Sequence, residues 1–119
     1  MINYNVPLNH CGQNANLKGN ILNDKKMEAN EFYYNIHLDR WRLWENLGCD
    51  ISLTIKIAGE YLFIDVLDES FAQPYDYQAI LRRTPDHKFA LDIHNQVQAI
   101  MKQLSDCGII DGYIANDYI

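Results

Sequence analysis

His10 and Cys11 are adjacent in the chain, and a thiol beside an imidazole can be activated toward nucleophilic attack. Neighbours in sequence need not face each other, and the pair lies in an Asn-rich arm, so no catalytic residues are assigned to it. His87 and His94 are seven residues apart. On a helix that spacing puts them on one side but roughly 10 Å apart, too far to share a metal ion. Both are expected at the flank of an apolar stripe, as boundary residues. Asp65, Asp68 and Glu69 gather three carboxylates in "DVLDES". Such a group could hold a cation, but the alternating Asp spacing and glycine of a calcium loop are missing. Ser52, Ser70 and Ser105 are the three serines, and none sits in a nucleophile elbow. The six glycines are dispersed, and none forms the spacing that cradles a phosphate. These residues imply no metal, no cofactor and a protein that leans away from catalysis.

A binding role has better support. Eight Tyr, four Phe and two Trp are plentiful for 119 residues. Tyr and Trp are over-represented where proteins hold their partners. Tyr33, Trp41, Trp44, Tyr61, Phe63, Tyr75 and Tyr77 fall in the middle of the chain. Together with Asp65, Asp68 and Glu69, all but Tyr33 are the residues assigned to a candidate partner patch.

The elements that must place them follow from periodicity. In "DISLTIKIAGEYLFIDVL", Ile51, Leu53, Ile55 and Ile57 alternate with Ser52, Thr54 and Lys56. A two-residue loop at Gly59-Glu60 sets Ala58 opposite Tyr61, Ile57 opposite Leu62, Ile55 opposite Ile64 and Leu53 opposite Val66. All of these apolar pairs point one way. Lys56 with Phe63, and Thr54 with Asp65, point the other way. A one-residue slip would mix the two faces, so the register is specified.

Further elements surround this hairpin. "EFYYNIHL" (31–38) alternates as a strand. In "DRWRLWENLG", Leu43, Trp44 and Leu47 suit a short helix over Arg40–Leu47 capped by Asp39, with a continued strand as the rival. If that helix covers the second face of the hairpin, Tyr61 and Phe63 are buried in a third layer. If nothing covers it, they are an exposed apolar patch. Tyr75–Arg83 reads as a short helix after Pro74, and Arg82-Arg83 face its negative end or an anionic partner. From Thr84 as N-cap and Pro85 as first residue, a helix of about 23 residues and roughly 34 Å runs to Gly108. Its stripe is Ala90, Ile93, Val97, Ile100, Met101 and Leu104. Residues 1–30 contain eight Asn and read as an irregular arm, with a short strand at 2–6 and a helical turn within "NILNDKKMEAN". The apolar tail "IIDGYIANDYI" either packs on the core as a strand or docks on a partner. The expected fold is α+β: one domain over 1–119, with an antiparallel sheet built on the 51–66 hairpin. That sheet packs against a long C-terminal helix, with one or two short helices.

The totals bound the partners. Sixteen acidic and ten basic residues leave a net charge of −6. A negative field repels phosphate backbones and attracts basic surfaces. A basic protein partner is therefore expected, and direct nucleic-acid binding is not. Cys11, Cys49 and Cys107 are odd in number and widely spaced, as free thiols of a reducing compartment would be. The start lacks the pattern of a secretory leader, and no apolar run is long enough for a membrane span. The expected location is the cytoplasm. The Asn- and Tyr-rich style and the long helix followed by "GIIDGY" resemble small accessory proteins of phages and mobile elements. That resemblance rests on no defined motif and assigns no residue. The acidic charge, the surplus of aromatics and the lack of a catalytic set point to a non-enzymatic protein-binding module, such as a small acidic inhibitor of a basic host protein, of anti-defence (anti-CRISPR-like) or immunity type. One alternative is a ligand-binding protein or enzyme with a pocket between hairpin and helices, closed by Arg82, Arg83 or His94. Another is a structural subunit that assembles as a homodimer.

Overall fold

The computed structural model describes residues 17–59 and 61–115. The possible strand at 2–6 and the His10-Cys11 pair lie outside these residues, as do Glu60 and residues 116–119. Element order is β1 (Lys18–Gly19), α1 (Asp24–Ala29), β2 (Tyr33–Asn35), β3 (Arg40–Gly48), β4 (Ile51–Ala58), β5 (Tyr61–Asp68), β6 (Gln73–Pro74), α2 (Tyr77–Arg83), α3 (Lys88–Asp106) and β7 (Ile110–Asp111). Strands β2 to β6 form a five-stranded antiparallel sheet in sequence order. β1 and β7 form a separate two-stranded ribbon. The class is α+β, with the hairpin at the centre of the sheet.

The hairpin has the register that its alternation demands. Ala58 pairs with Tyr61, Ile57 with Leu62, Ile55 with Ile64 and Leu53 with Val66. Gly59 has φ +61°, as the first residue of a primed hairpin turn requires. Leu53, Ile55, Ile57, Leu62 and Ile64 are fully buried. They pack in one cluster with Ala90, Ile93, Val97, Met101 and Leu104 of α3, the stripe read from the sequence. Ile100, the other member of the stripe, is partly buried against it.

Residues 40–48 are a strand, not the helix that Leu43, Trp44 and Leu47 suggested. The same residues also satisfy a period of two. Trp41 and Leu43 face the core, and Arg42 and Trp44 face away. Pairing decides between the two periods. β4 is buried on its core face and has a second edge of N–H and C=O groups to satisfy. β3 supplies that ladder, with Trp41 opposite Ile57 and Leu43 opposite Ile55. The β3–β4 turn is made by Cys49 (φ +52°) and Asp50 (φ +63°), both left-handed as a type I′ turn needs. Asp39 is a turn residue at φ +49° and caps no helix. The preceding strand is cut to Tyr33–Asn35, because the Asn35 carboxamide oxygen accepts from the His37 and Leu38 N–H groups and bends the chain.

The long helix starts later than Thr84-Pro85 implied. Thr84 ends α2, its carbonyl accepts from the His87 N–H at 3.0 Å, and residues 84–87 turn the chain. His87 is the N-cap of α3, its Nδ1 accepting from the Ala90 N–H at 3.1 Å. The helix is thus 19 residues long. It stops at Gly108 (φ +89°), where the Ile109 N–H donates to Leu104 and the Gly108 N–H to Ser105, a Schellman arrangement. α2 begins at Tyr77, two residues after the expected start, because Asp76 accepts from the Ala79 N–H as its cap. Ile109 and Ile110 are buried, so the start of the tail is held on the core through β7. The helical turn within 20–30 is α1, capped by Asn23. Gly19 of β1 lies so close to β4 that a Cβ there would stand 2.8 Å from the Ile57 Cγ2. No helix among the described residues is long and apolar enough to cross a membrane.

Candidate functional site

With β3 in the sheet, the outward side chains of four strands line up. One row crosses the sheet as Tyr33 (β2), Arg42 (β3), Lys56 (β4) and Phe63 (β5). Neighbouring strands are about 4.8 Å apart, so the row spans about 14 Å. Arg40 lies two residues before Arg42, on the same side, opposite Asn35. Trp44 lies two residues after it, in the next row with Thr54 and Asp65. Tyr61 stands at the hairpin end, opposite Ala58. The face therefore groups three cationic side chains with four aromatic ones.

It is also open. Tyr33 is 71% exposed, Tyr61 68% and Trp44 45%, while Phe63 is partly covered. All described helices lie on the other side, among the core residues of β3, β4 and β5. Where β2 and its turn curl over β3, they form a solvent-open concavity of about 710 Å³ lined by Tyr33, Tyr34, Ile36, His37, Arg42 and Trp44. Ile36 and Leu38 beside it are exposed apolar residues. Tyr34 closes the core at this edge. Its ring is 5.4 Å from that of Trp41, and its hydroxyl donates to Asp39 at 2.5 Å. That hydrogen bond, with the nearby charge of Asp39, raises the Tyr34 pKa above the usual phenol value.

The electrostatics of the face centre on Lys56. Its ammonium sits over the Phe63 ring, 5.3 Å from the centroid. Partial burial lowers its pKa, and the positive charges of Arg40 and Arg42 lower it further, while Asp65 pulls it back up. The cluster is thus locally positive on a protein whose total charge is −6.

The residues singled out in the sequence are dispersed. Tyr61, Phe63, Trp44 and Asp65 are on the open face. Trp41 and Tyr77 are core residues, 5% and 0% exposed, and are removed from any docking surface. Tyr75 is half-buried, edge-on to Phe89. Asp68 and Glu69 lie at the far end of the hairpin with Asp50. There Ser52 Oγ donates to Glu69, Ser70 Oγ to Asp50 and the Ser70 N–H to Asp68, so the acidic group ties two loops together. Among the described residues, no group of three or more His, Cys, Asp and Glu side chains is placed to hold a metal ion. His94 is not a boundary residue. It is buried, its ring 6.2 Å from that of Tyr77. Hairpin and helix side chains meet in one buried cluster; of the three residues expected to close a pocket there, His94 is buried, and Arg82 and Arg83 are exposed at the end of α2. Cys49 and Cys107 carry free, exposed thiols.

Comparison with protein-family models, curated proteins and solved structures finds no match for this chain. Sequence reasoning missed Arg40, Arg42 and Lys56 as a group. The signal was present in "RWRLWEN", where Arg40, Arg42 and Trp44 alternate with Trp41 and Leu43. Reading that stretch as a helix hid it.

Proposed function

We propose that the protein is a non-enzymatic binding module that docks its partner on the open face of the sheet. The observation that carries this reading is the exposure of Tyr33, Trp44 and Tyr61 on one face, around Arg40, Arg42 and Lys56. A single exposed aromatic is ordinary. Several on one rigid, uncovered sheet face form the kind of patch that marks an interaction site.

The sign of the patch sets the partner. A total charge of −6 favours a basic protein at a distance, the expectation for an acidic inhibitor of anti-defence type. At physiological salt that field decays over about 8 Å, and the local cluster governs what touches the face. An anionic surface complements it. A basic partner would have to meet carboxylates away from this cluster, and those of Asp50, Asp68 and Glu69 already hold serine groups. A second copy docked face to face about a two-fold axis would set cations against cations, which disfavours a homodimer through this surface. The free thiols suit a reducing compartment, and the cytoplasm is the proposed location.

The test replaces Tyr33, Trp44 and Tyr61 together with Thr, which keeps strand propensity. Ile114→Ser, at another exposed apolar residue, is the control. Immobilised wild-type protein and the control should retain the same partner from a lysate of the source cell, and the triple variant should lose it. Equal retention by all three proteins rejects the open face as the docking surface.

A further inference from the structure

We propose that the anionic partner of this face is single-stranded nucleic acid, held by Arg40, Arg42 and Lys56 on phosphates and by Tyr33, Trp44 and Tyr61 on bases. This rests on the reading of the open face as the docking surface and goes further by naming the ligand class. Two requirements must be met by whatever covers the face. It must bring negative charge to a cluster of three cations, of which Lys56 is already disfavoured by partial burial and then by the other two. It must also cover flat aromatic rings that stand among those cations rather than in a separate apolar patch. An acidic peptide meets the first requirement and offers nothing regular to the second. A single strand offers both at once, because phosphates and planar bases alternate along it at short range. Stacking on Tyr, Trp and Phe is open to every base, and Arg adds contacts through its own plane.

The layout fits this use. The row Tyr33–Arg42–Lys56–Phe63 places an aromatic at each end and two cations between them, over about 14 Å. That is the reach of a few unstacked nucleotides crossing the strands. Arg40 with Tyr61 toward the hairpin end, and Trp44 in the adjacent row, widen the track on both sides. The concavity beside Tyr33 and Trp44, with Arg42 in its wall, gives a splayed base somewhere to lie. A duplex is a poor occupant, since its bases are stacked on one another and their faces are closed to the rings. The net charge of −6 slows association at low salt, but carboxylates more than about 8 Å away are screened at physiological ionic strength, and Asp65, in the row with Trp44, is set against three cations.

The experiment is fluorescence anisotropy with labelled oligo(dT) and oligo(U) of about a dozen nucleotides, within the site sizes of single-strand binding folds. A salt series, a duplex of equal length and an oligo-glutamate peptide complete it. The full chain is used, and each variant is first checked by circular dichroism and thermal melting. Binding tighter than about 100 μM at physiological salt is expected, with an affinity that falls as salt rises. Arg40→Gln/Arg42→Gln should weaken binding at least tenfold and flatten the salt dependence by more than one phosphate contact, about 0.7 in the log–log slope for each. Tyr33→Thr and Trp44→Thr should each weaken it about tenfold and leave the slope unchanged, as loss of a stacked base does. Trp44 fluorescence should be quenched on binding while buried Trp41 is not, so Trp44→Thr should abolish most of the quench. The proposal is overturned if neither oligonucleotide binds, if the variants bind as wild type does, or if the duplex or the oligo-glutamate peptide binds as tightly as the single strands. In those cases a protein retained by the wild type and lost by the Tyr33/Trp44/Tyr61 variant keeps the docking face while removing nucleic acid as its ligand.

Discussion

The two faces of the five-stranded sheet are built by alternate residues of the same strands, yet they answer to different constraints. On the inner face, Trp41, Leu43, Leu53, Ile55, Ile57, Leu62 and Ile64 are almost wholly buried against α3 and its neighbours. Each side chain there is chosen by volume and apolarity. On the outer face, Tyr33, Arg40, Arg42, Trp44, Lys56, Tyr61 and Phe63 combine large rings with positive charge. Folding alone does not ask for that combination. Arg40, Arg42 and Lys56 repel one another, and Lys56 in particular is held in a disfavoured charged state. Ordinary polar residues would solvate this side of the sheet at less cost. One face carries the fold and the other carries a liability that a ligand would relieve.

That contrast can be tested from its strongest consequence to its weakest. Leu53 is fully buried at the centre of the inner face, so Leu53→Ala should cost about 2–5 kcal/mol in chemical denaturation. Gly19→Ala should cost about 1–3 kcal/mol, because the new Cβ meets the buried branched side chain of Ile57 at 2.8 Å. Gly59→Ala, at φ +61°, should cost roughly 1–2 kcal/mol by straining the turn that holds both faces in register. By contrast, Tyr33→Thr on the outer face should change stability by less than about 0.5 kcal/mol while impairing partner binding. A large stability loss there would mean that the outer face is structural after all, and the contrast would fail.

The smallest effect concerns pH. The Lys56 pKa is lowered in the folded protein, chiefly by burial and then by Arg40 and Arg42. The unfolded chain therefore holds this proton more tightly than the folded one. Below the folded pKa the charged ammonium weighs against folding; between the folded value and the ordinary lysine value that penalty disappears as pH rises. Lys56→Met should raise the melting temperature slightly at neutral pH, and its advantage over wild type should shrink as pH climbs through the lysine range. An advantage that grew with pH would contradict the stated origin of the shift.

Much of the inner face was legible in the sequence. Period-two alternation on both sides of Gly59 left one register that kept Leu53, Ile55, Ile57, Leu62, Ile64 and Val66 together, and the stripe of α3 has helical spacing. The outer face was hidden by one ambiguous segment. "RWRLWEN" fits a short helix and a strand about equally. The turn that follows it uses Cys49 and Asp50 in left-handed conformations, without the Asn-Gly or Asp-Gly signature that marks a type I′ hairpin. Cys49→Asn should be tolerated for the same reason, since Asn accepts that conformation more readily. The start of α3 is also ambiguous in the sequence. Thr84 and Pro85 look like a helix start, but an adjacent helix end already uses Thr84, and His87 takes over as cap.

What the amino-acid order determined alone was local and periodic: which hairpin side chains share a side, where α3 ends, and that the chain is acidic and rich in aromatics. Tertiary structure alone decided which of two periods residues 40–48 obey, because the unsatisfied edge of β4 needed a partner ladder. That choice also brought Tyr33, Arg42, Lys56 and Phe63 into one row, from strands whose sequence positions span thirty residues. A local charge opposite in sign to the total is a property of that row, and no count of charges along the chain contains it.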